Sequence, residues 1–411
     1  MNRNELDRVL SNSLNWFRKS SVMVPSSGIW GVAERVYLCP DKALSKRVMQ
    51  SFNSFTDYGK WSVIESRRAD CNFQAAYLFL LASDLKGGTN KTTAKRLLDF
   101  LYCRSGLLNR GGSNDFLDKI VGVWNWSHTQ WCVNLWFDDN SWALLIPLLI
   151  AGRWPEIAEK YDMIPWAGKL AVLLAEGFDR TFKASLGKPD EDWSDPEKLW
   201  RGRPLLPHWG SLCCLALSAA YRADLPGRER FAEVIRMYHE YLANPPEGKL
   251  NVSELAYALI GSTAAYKALG DKAFLDLAVS FADRIQAKAD PVTGNIPAEH
   301  YEAPTGPHLV DTIYTVNWVL LGLQNLVRLL PERKDYKKRY EQLLKLFAKI
   351  QDTSPERQFN GCWRGMYDMK TKSWGGGDCC EGGSGSIYSG WTNAPVAIAF
   401  AHEMLGMSLI G

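Results

Sequence analysis

The sequence has no C-x-x-C pair, no glycine-rich loop ending in Gly-Lys-Ser or Gly-Lys-Thr, and no long apolar run. The first absence excludes the common zinc and dithiol motifs. The second excludes the phosphate cradle of P-loop nucleotide hydrolases. The longest apolar stretch, around Ala143 to Gly152, falls well short of the roughly 20 residues that span a bilayer, so no membrane partner is expected. Net charge is scarce as well. Forty-eight basic residues against 45 acidic leave +3 over 411 positions, and no basic run carries interleaved aromatics, which argues against nucleic acid. No metal-ligand cluster or cofactor lysine stands out, so neither metal nor cofactor is expected. The nine cysteines are scattered and odd in number, and Cys213-Cys214 are adjacent, which suits buried free thiols in a reducing compartment. The first 30 residues contain no apolar signal region. The expectation is a cytoplasmic protein, or a periplasmic one if a leader has been removed. The oligomeric state is not set by the sequence.

What is present is tryptophan and helix. Seventeen Trp give a large supply of flat apolar faces, each with one N–H donor. Such faces suit the C–H faces of sugar rings, and they serve equally as core filler. Strand patterns are few, whereas helical patterns recur in two kinds. Six segments are apolar on nearly every face and should be buried all round: Asp70 to Ser83, Asp138 to Ala151, His208 to Tyr221, Ser253 to Ala268, Val310 to Leu330 and Trp391 to Leu405. Six are amphipathic: Lys42 to Phe52, Thr92 to Cys103, Pro155 to Phe182, Arg228 to Leu242, Asp271 to Ala289 and Arg333 to Ile350. The two kinds alternate without a fixed period, unlike a linear repeat. They predict an all-α (α/α)6 barrel, an inner ring of six helices paired with six outer ones, forming one domain over residues 1–411. Pro147 should kink the second inner helix, and Pro165-Trp166 should interrupt the third outer one. Two long loops, Lys183 to Arg203 and Gly361 to Gly390, remain, and the second carries an alternating stretch from Cys362 to Trp374 that predicts a small β-hairpin.

Polar residues gather where the inner helices begin: Asp70, Asp138 and Asp139, His208 with Trp209, Glu254, Asp311, and Asn393 after Trp391. If the inner helices run parallel, these share one face of the ring. Each also has a capping interpretation, since Asp and Asn are favoured at helix starts. The segments Trp136-Phe137-Asp138-Asp139-Asn140-Ser141-Trp142 and Val310-Asp311-Thr312-Ile313-Tyr314 resemble those of the six-hairpin glycosidases, nearest to the unsaturated glucuronyl hydrolases and helical-toroid exo-β-glucuronidases. Gly28 to Glu34, Arg67-Arg68-Ala69-Asp70 and Tyr388 to Pro395 are similar too. The resemblance implies a carbohydrate substrate and an aspartate general acid/base near the start of an inner helix, assisted by a second on a neighbouring hairpin. The W-x-D-T pattern of the glucuronyl hydrolases is met only loosely.

Glycosidic cleavage needs a carboxylic acid for the leaving oxygen and a second carboxylate for water or the anomeric carbon. Neighbouring helix residues point about 100° apart, so one of Asp138 and Asp139 should face the funnel. Asp139 is chosen as acid, Asp311 as its partner and Glu254 as reserve. A uronic acid would be gripped by an arginine fork, for which Arg67, Arg68 and Arg364 are candidates. Trp30, Glu34, Trp126, His128, His208, Trp209, His308, Tyr314, Trp363, Tyr388 and Trp391 are expected to bind substrate, with Glu381 carried on a mobile rim. Other readings stay open. His128, His208 and His308 near inner-helix starts would suit a sugar 2-epimerase or isomerase. A non-catalytic glycan-binding toroid or a polysaccharide lyase would fit as well. A terpene cyclase would need an acidic residue where Trp142 stands.

Overall fold

The computed structural model describes residues 1–38, 54–112, 114–129, 134–188, 199–245, 250–300, 303–376 and 383–411. Among them are fourteen α-helices: α1 (Arg3–Lys19), α2 (Ala69–Lys86), α3 (Asn90–Asp99), α4 (Asp115–Asp118), α5 (Phe137–Arg153), α6 (Pro155–Lys160), α7 (Met163–Ser185), α8 (Pro207–Arg222), α9 (Arg228–Ala243), α10 (Val252–Leu269), α11 (Lys272–Ala287), α12 (Val316–Leu329), α13 (Lys334–Ile350) and α14 (Ala394–Leu405). Six of them, α2, α5, α8, α10, α12 and α14, each pack on the next, and α14 packs back on α2. The ring is closed. Around it, α1, α3, α7, α9, α11 and α13 form the outer layer, and the chain alternates outer and inner throughout. The protein is an (α/α)6 toroid.

Composition sorts the layers. In α2 every residue from Ala69 to Ala82 is buried, so a polar face would have nowhere to go. In α13, by contrast, Tyr336, Tyr340, Leu343, Leu344, Phe347 and Ile350 form one buried stripe under a charged face. Small residues let the inner helices approach closely. A Cβ at Gly261 of α10 would lie 2.9 Å from the Ser211 carbonyl oxygen of α8. Trp16, Trp142, Trp318 and Trp363 are among the largest fully buried side chains, so part of the tryptophan supply is core.

Several expectations need correction. The first outer helix is α1, opened by a capping box in which the Asn2 side chain accepts from the Glu5 N–H and Glu5 accepts from the Asn2 N–H. The stretch Lys42 to Phe52 lies outside the described residues. The fifth inner helix begins at Val316 and not at Val310, because Leu309–Asp311 is a strand, β8. The third outer segment breaks at Tyr161-Asp162, where Asp162 takes φ 50°, and Pro165 sits in the first turn of α7, where no helical N–H is needed. Cys71, Cys213, Cys214 and Cys362 are buried free thiols, but Cys103 is exposed.

The late hairpin is present. Strands β9 (Met366–Asp368) and β10 (Ser373–Trp374) pair antiparallel with Trp374 opposite Tyr367, and β8 extends them to three strands. A second small sheet orders β11 (Ser386–Tyr388), β1 (Arg35–Tyr37), β3 (Ser62–Ile64) and β2 (Phe55–Asp57). It brings the N-terminal segment and the last inner hairpin together beside the mouth of the ring.

Candidate active site

The N-terminal ends of all six inner helices meet. Arg68, the residue before α2, donates from Nη2 to Asp139 Oδ1 at 2.6 Å, and Asp139 is in the first turn of α5. Its neighbour Asp138 places Oδ2 3.1 Å from His208 Nε2 in the first turn of α8. The backbone N–H of His208 donates to Glu254 Oε2 at 2.7 Å, and Glu254 is in the first turn of α10. The His208 ring stacks on Trp209 at 4.4 Å and on Tyr257 at 4.7 Å, with Tyr314 from the lead into α12 at 6.2 Å and Trp391 from the lead into α14 at 5.3 Å. The inner helices therefore run parallel, and their positive dipole ends converge on a cluster of carboxylates.

Arg68 is the hub. Besides Asp139 it reaches Asp70 Oδ2 at 3.2 Å and Glu34 Oε1 at 3.7 Å, and its guanidinium lies 5.4 Å from the Trp126 ring and 5.9 Å from that of Trp391. Arg35 lies 3.6 Å from the same Glu34 oxygen and donates to Ser386 Oγ and Tyr388 Oη. Burial would lower the Arg68 pKa, but Asp139, Asp70 and the other anions around it outweigh that and hold the guanidinium firmly charged. Asp139 shifts the other way. Burial, opposed by Arg68 but reinforced by Asp70 and Asp138, pushes its carboxyl well above the usual aspartate range. Both Arg68 contacts fall on Oδ1. Burial also raises Glu254, against His208, its N–H and Arg203. Buried polar atoms without a partner face this cluster: Asp70 Oδ1, Asp138 Oδ1, Glu254 Oε1, His208 Nδ1 and the Trp391 indole N–H. In a protein interior such atoms normally find a partner.

The sequence-derived residues divide. Asp138, Asp139, Glu254, His208, Trp209, Tyr314, Trp391, Arg68, Glu34 and Trp126 come together. Asp311 does other work: Oδ1 accepts from the N–H groups of Ile313 and Tyr314, and Oδ2 from Thr315 Oγ1, so both oxygens tie down the turn before α12. Trp363 is core, donating to the Phe347 carbonyl and stacked on Phe400. Arg364 pairs with Asp352 at 2.7 Å and lies over Phe359. Arg67 donates to Glu65 and the Trp30 carbonyl at the rim, and Trp30 itself is 53% exposed. His128 accepts the Arg67 N–H on Nδ1, and burial followed by Arg67 lowers its pKa. His308 is partly exposed beside Asp290 and Asp368, both at the surface. Tyr388 is held by Arg35. Glu381 lies outside the described residues. Two participants were missed as site residues, Asp70 and Tyr257. Asp70 was legible as a carboxylate at an inner-helix start. Tyr257, one turn into α10, looked like core. No group of His, Cys, Asp and Glu among the described residues could hold a metal ion, and no described helix is long and apolar enough to cross a membrane.

No protein-family model and no curated protein matches the sequence. Solved structures match in shape over nearly the whole chain. A cellobiose 2-epimerase from Bacillus thermoamylovorans superposes with a TM-score of 0.63 at 10% identity, covering 97% of this chain and 98% of its own. An unsaturated glucuronyl hydrolase specific for heparin gives 0.58 at 12% identity, with 100% of both chains covered. An α-1,6-mannanase of Salegentibacter sp. HEL1_6, in an inactive form with two adjacent aspartates replaced by asparagine and with α-1,6-mannotriose bound, gives 0.55 at 12% identity over 97% and 99%. At these identities the likeness shows the fold.

Proposed function

We propose that this protein is a carbohydrate-active enzyme that hydrolyses a glycosidic bond, with Asp139 as general acid and Asp138 as the second carboxylate. The observation that carries this reading is the state of the adjacent pair. Asp139 is a buried carboxyl pushed toward its protonated form, which is what protonation of a leaving oxygen requires near neutral pH. Asp138 is fixed through Oδ2 by His208 and keeps a buried Oδ1 without a partner, and a second carboxylate beside the acid is what activation of water or attack on the anomeric carbon needs. Trp126, Trp209, Trp391 and Tyr314 supply the apolar faces against which a pyranose packs. The mannanase inactivated at two adjacent aspartates supports the pairing. Asp311, occupied by its own turn, is replaced by Asp138 as the partner of the acid.

The test is a turnover screen of the purified protein on aryl glycosides and oligosaccharides, with Asp138→Asn and Asp139→Asn alongside. Loss of aglycone release in both, with helical circular dichroism unchanged, supports the reading. Activity indifferent to both overturns it. A second reading, sugar 2-epimerisation, rests on the unpartnered Nδ1 of His208, whose Nε2 faces Asp138. It predicts solvent deuterium incorporated at C2 of a reducing sugar without bond cleavage. Among the described residues, however, His208 is the one histidine in contact with the acidic cluster, where a proton relay across a sugar carbon would use two.

A further inference from the structure

The cluster also bears on which sugar it accepts. Three arginines are the obvious anchors for a uronic acid, and each is already occupied: Arg68 by Asp139, Asp70 and Glu34, Arg67 by Glu65, and Arg364 by Asp352. Around the funnel floor stand five carboxylates, Glu34, Asp70, Asp138, Asp139 and Glu254, against Arg35, Arg68 and, beyond them, Arg203. Leaving Asp139 aside, the carboxyl groups still outnumber the guanidinium groups, four to three. Oxygens of Asp70, Asp138 and Glu254 have no partner and are fully enclosed by protein. Carboxylate oxygens accept hydrogen bonds and cannot donate them. Their field repels a sugar carboxylate, most strongly where water is excluded.

We infer that the site selects a neutral pyranose and discriminates against its uronic acid counterpart, the surplus of buried carboxylates acting as the filter. This rests on the carbohydrate reading above, but not on hydrolysis as the reaction.

The experiment is a tryptophan-fluorescence and calorimetric titration of the intact protein at pH 7. The ligands are sugar pairs differing only at C6: glucose and glucuronate, mannose and mannuronate, galactose and galacturonate. In the pair that binds best, the neutral member should bind tighter by about tenfold or more, the scale of one unscreened like-charge contact. Glu254→Gln, which removes one carboxylate and keeps an acceptor for the His208 N–H, should narrow that ratio several-fold, with helical circular dichroism reporting an intact fold. A uronate bound as tightly as its neutral partner, or tighter, overturns the inference and leaves hydrolysis standing. Neutral preference without turnover on any glycoside supports the inference and overturns hydrolysis. Failure of every sugar to bind overturns both.

Discussion

Asp138 Oδ2 lies 3.1 Å from His208 Nε2, a contact that joins the first turns of two neighbouring inner helices at the floor of the funnel. It leaves the other oxygen of Asp138 without a partner and turns Asp139, the next residue, toward Arg68. One dipeptide thus presents two carboxyl groups in different surroundings. One is bonded to an imidazole. The other is buried beside a guanidinium and a further carboxylate, Asp70.

Asp139→Asn should lower kcat by about 10²–10⁴-fold, the range for removing a positioned general acid. Arg68 keeps Asp70 and Glu34, so the thermal midpoint should move little. Initial-rate kinetics beside a melting curve check both parts. A large fall in stability with proportionate loss of activity would recast Asp139 as structural.

The raised carboxyl of Asp139 gives activity a definite pH direction. The donor is protonated below its folded pKa and spent above it, so kcat/KM falls on the alkaline side, with a limb starting above the ordinary aspartate value of 3.8. A pH–rate profile of kcat/KM with no fall on the alkaline side would be incompatible with Asp139 as the acid.

Glu254 makes a matching prediction for stability. Burial raises its folded pKa above 4.5, so the folded state holds the proton more tightly than the unfolded chain. That contribution is complete below about the unfolded value of 4.5 and is lost as pH rises through the folded pKa. Glu254→Gln should flatten the decline of the urea midpoint as pH rises above 4.5. An unchanged slope would show that Glu254 is not the titrating group.

Gly390 precedes the last inner helix, and a Cβ there would lie 2.7 Å from Cys71 Cα and 2.5 Å from Cys71 Sγ. Gly390→Ala should cost about 1–3 kcal/mol, as overpacking does. Denaturant titration of the pair measures it, and a neutral effect would mean that α2 and the turn before α14 can separate.

Arg364→Ala should act on stability alone. Its partner Asp352 is buried, while Arg364 is partly exposed, so about 2–4 kcal/mol is expected, somewhat below a fully buried pair. KM should stay at the wild-type value. A rise in KM would return Arg364 to the binding residues.

Local sequence carried much of this. The alternation of all-apolar and amphipathic segments is a direct record of which helices have one neighbour and which have neighbours on every side. Helix α1 was equally legible in its Asn2-x-x-Glu5 capping box and the spacing of Leu6, Val9, Leu10, Leu14 and Phe17. Asp311 shows the opposite limit. A carboxylate before an apolar run is either a cap or a catalyst, and the chain reads the same in both cases.

What the sequence by itself determined is the toroid and the ring of polar residues at one end of it, because burial on every face and helix-start chemistry are properties of short segments. What only the tertiary structure decided is which of those residues meet. The partners of Arg68 come from α2, α5 and the segment before β1, and His208 is ringed by groups from four other inner-helix starts. Such long-range juxtapositions fix charge, burial and the unsatisfied oxygens, and no local pattern encodes them.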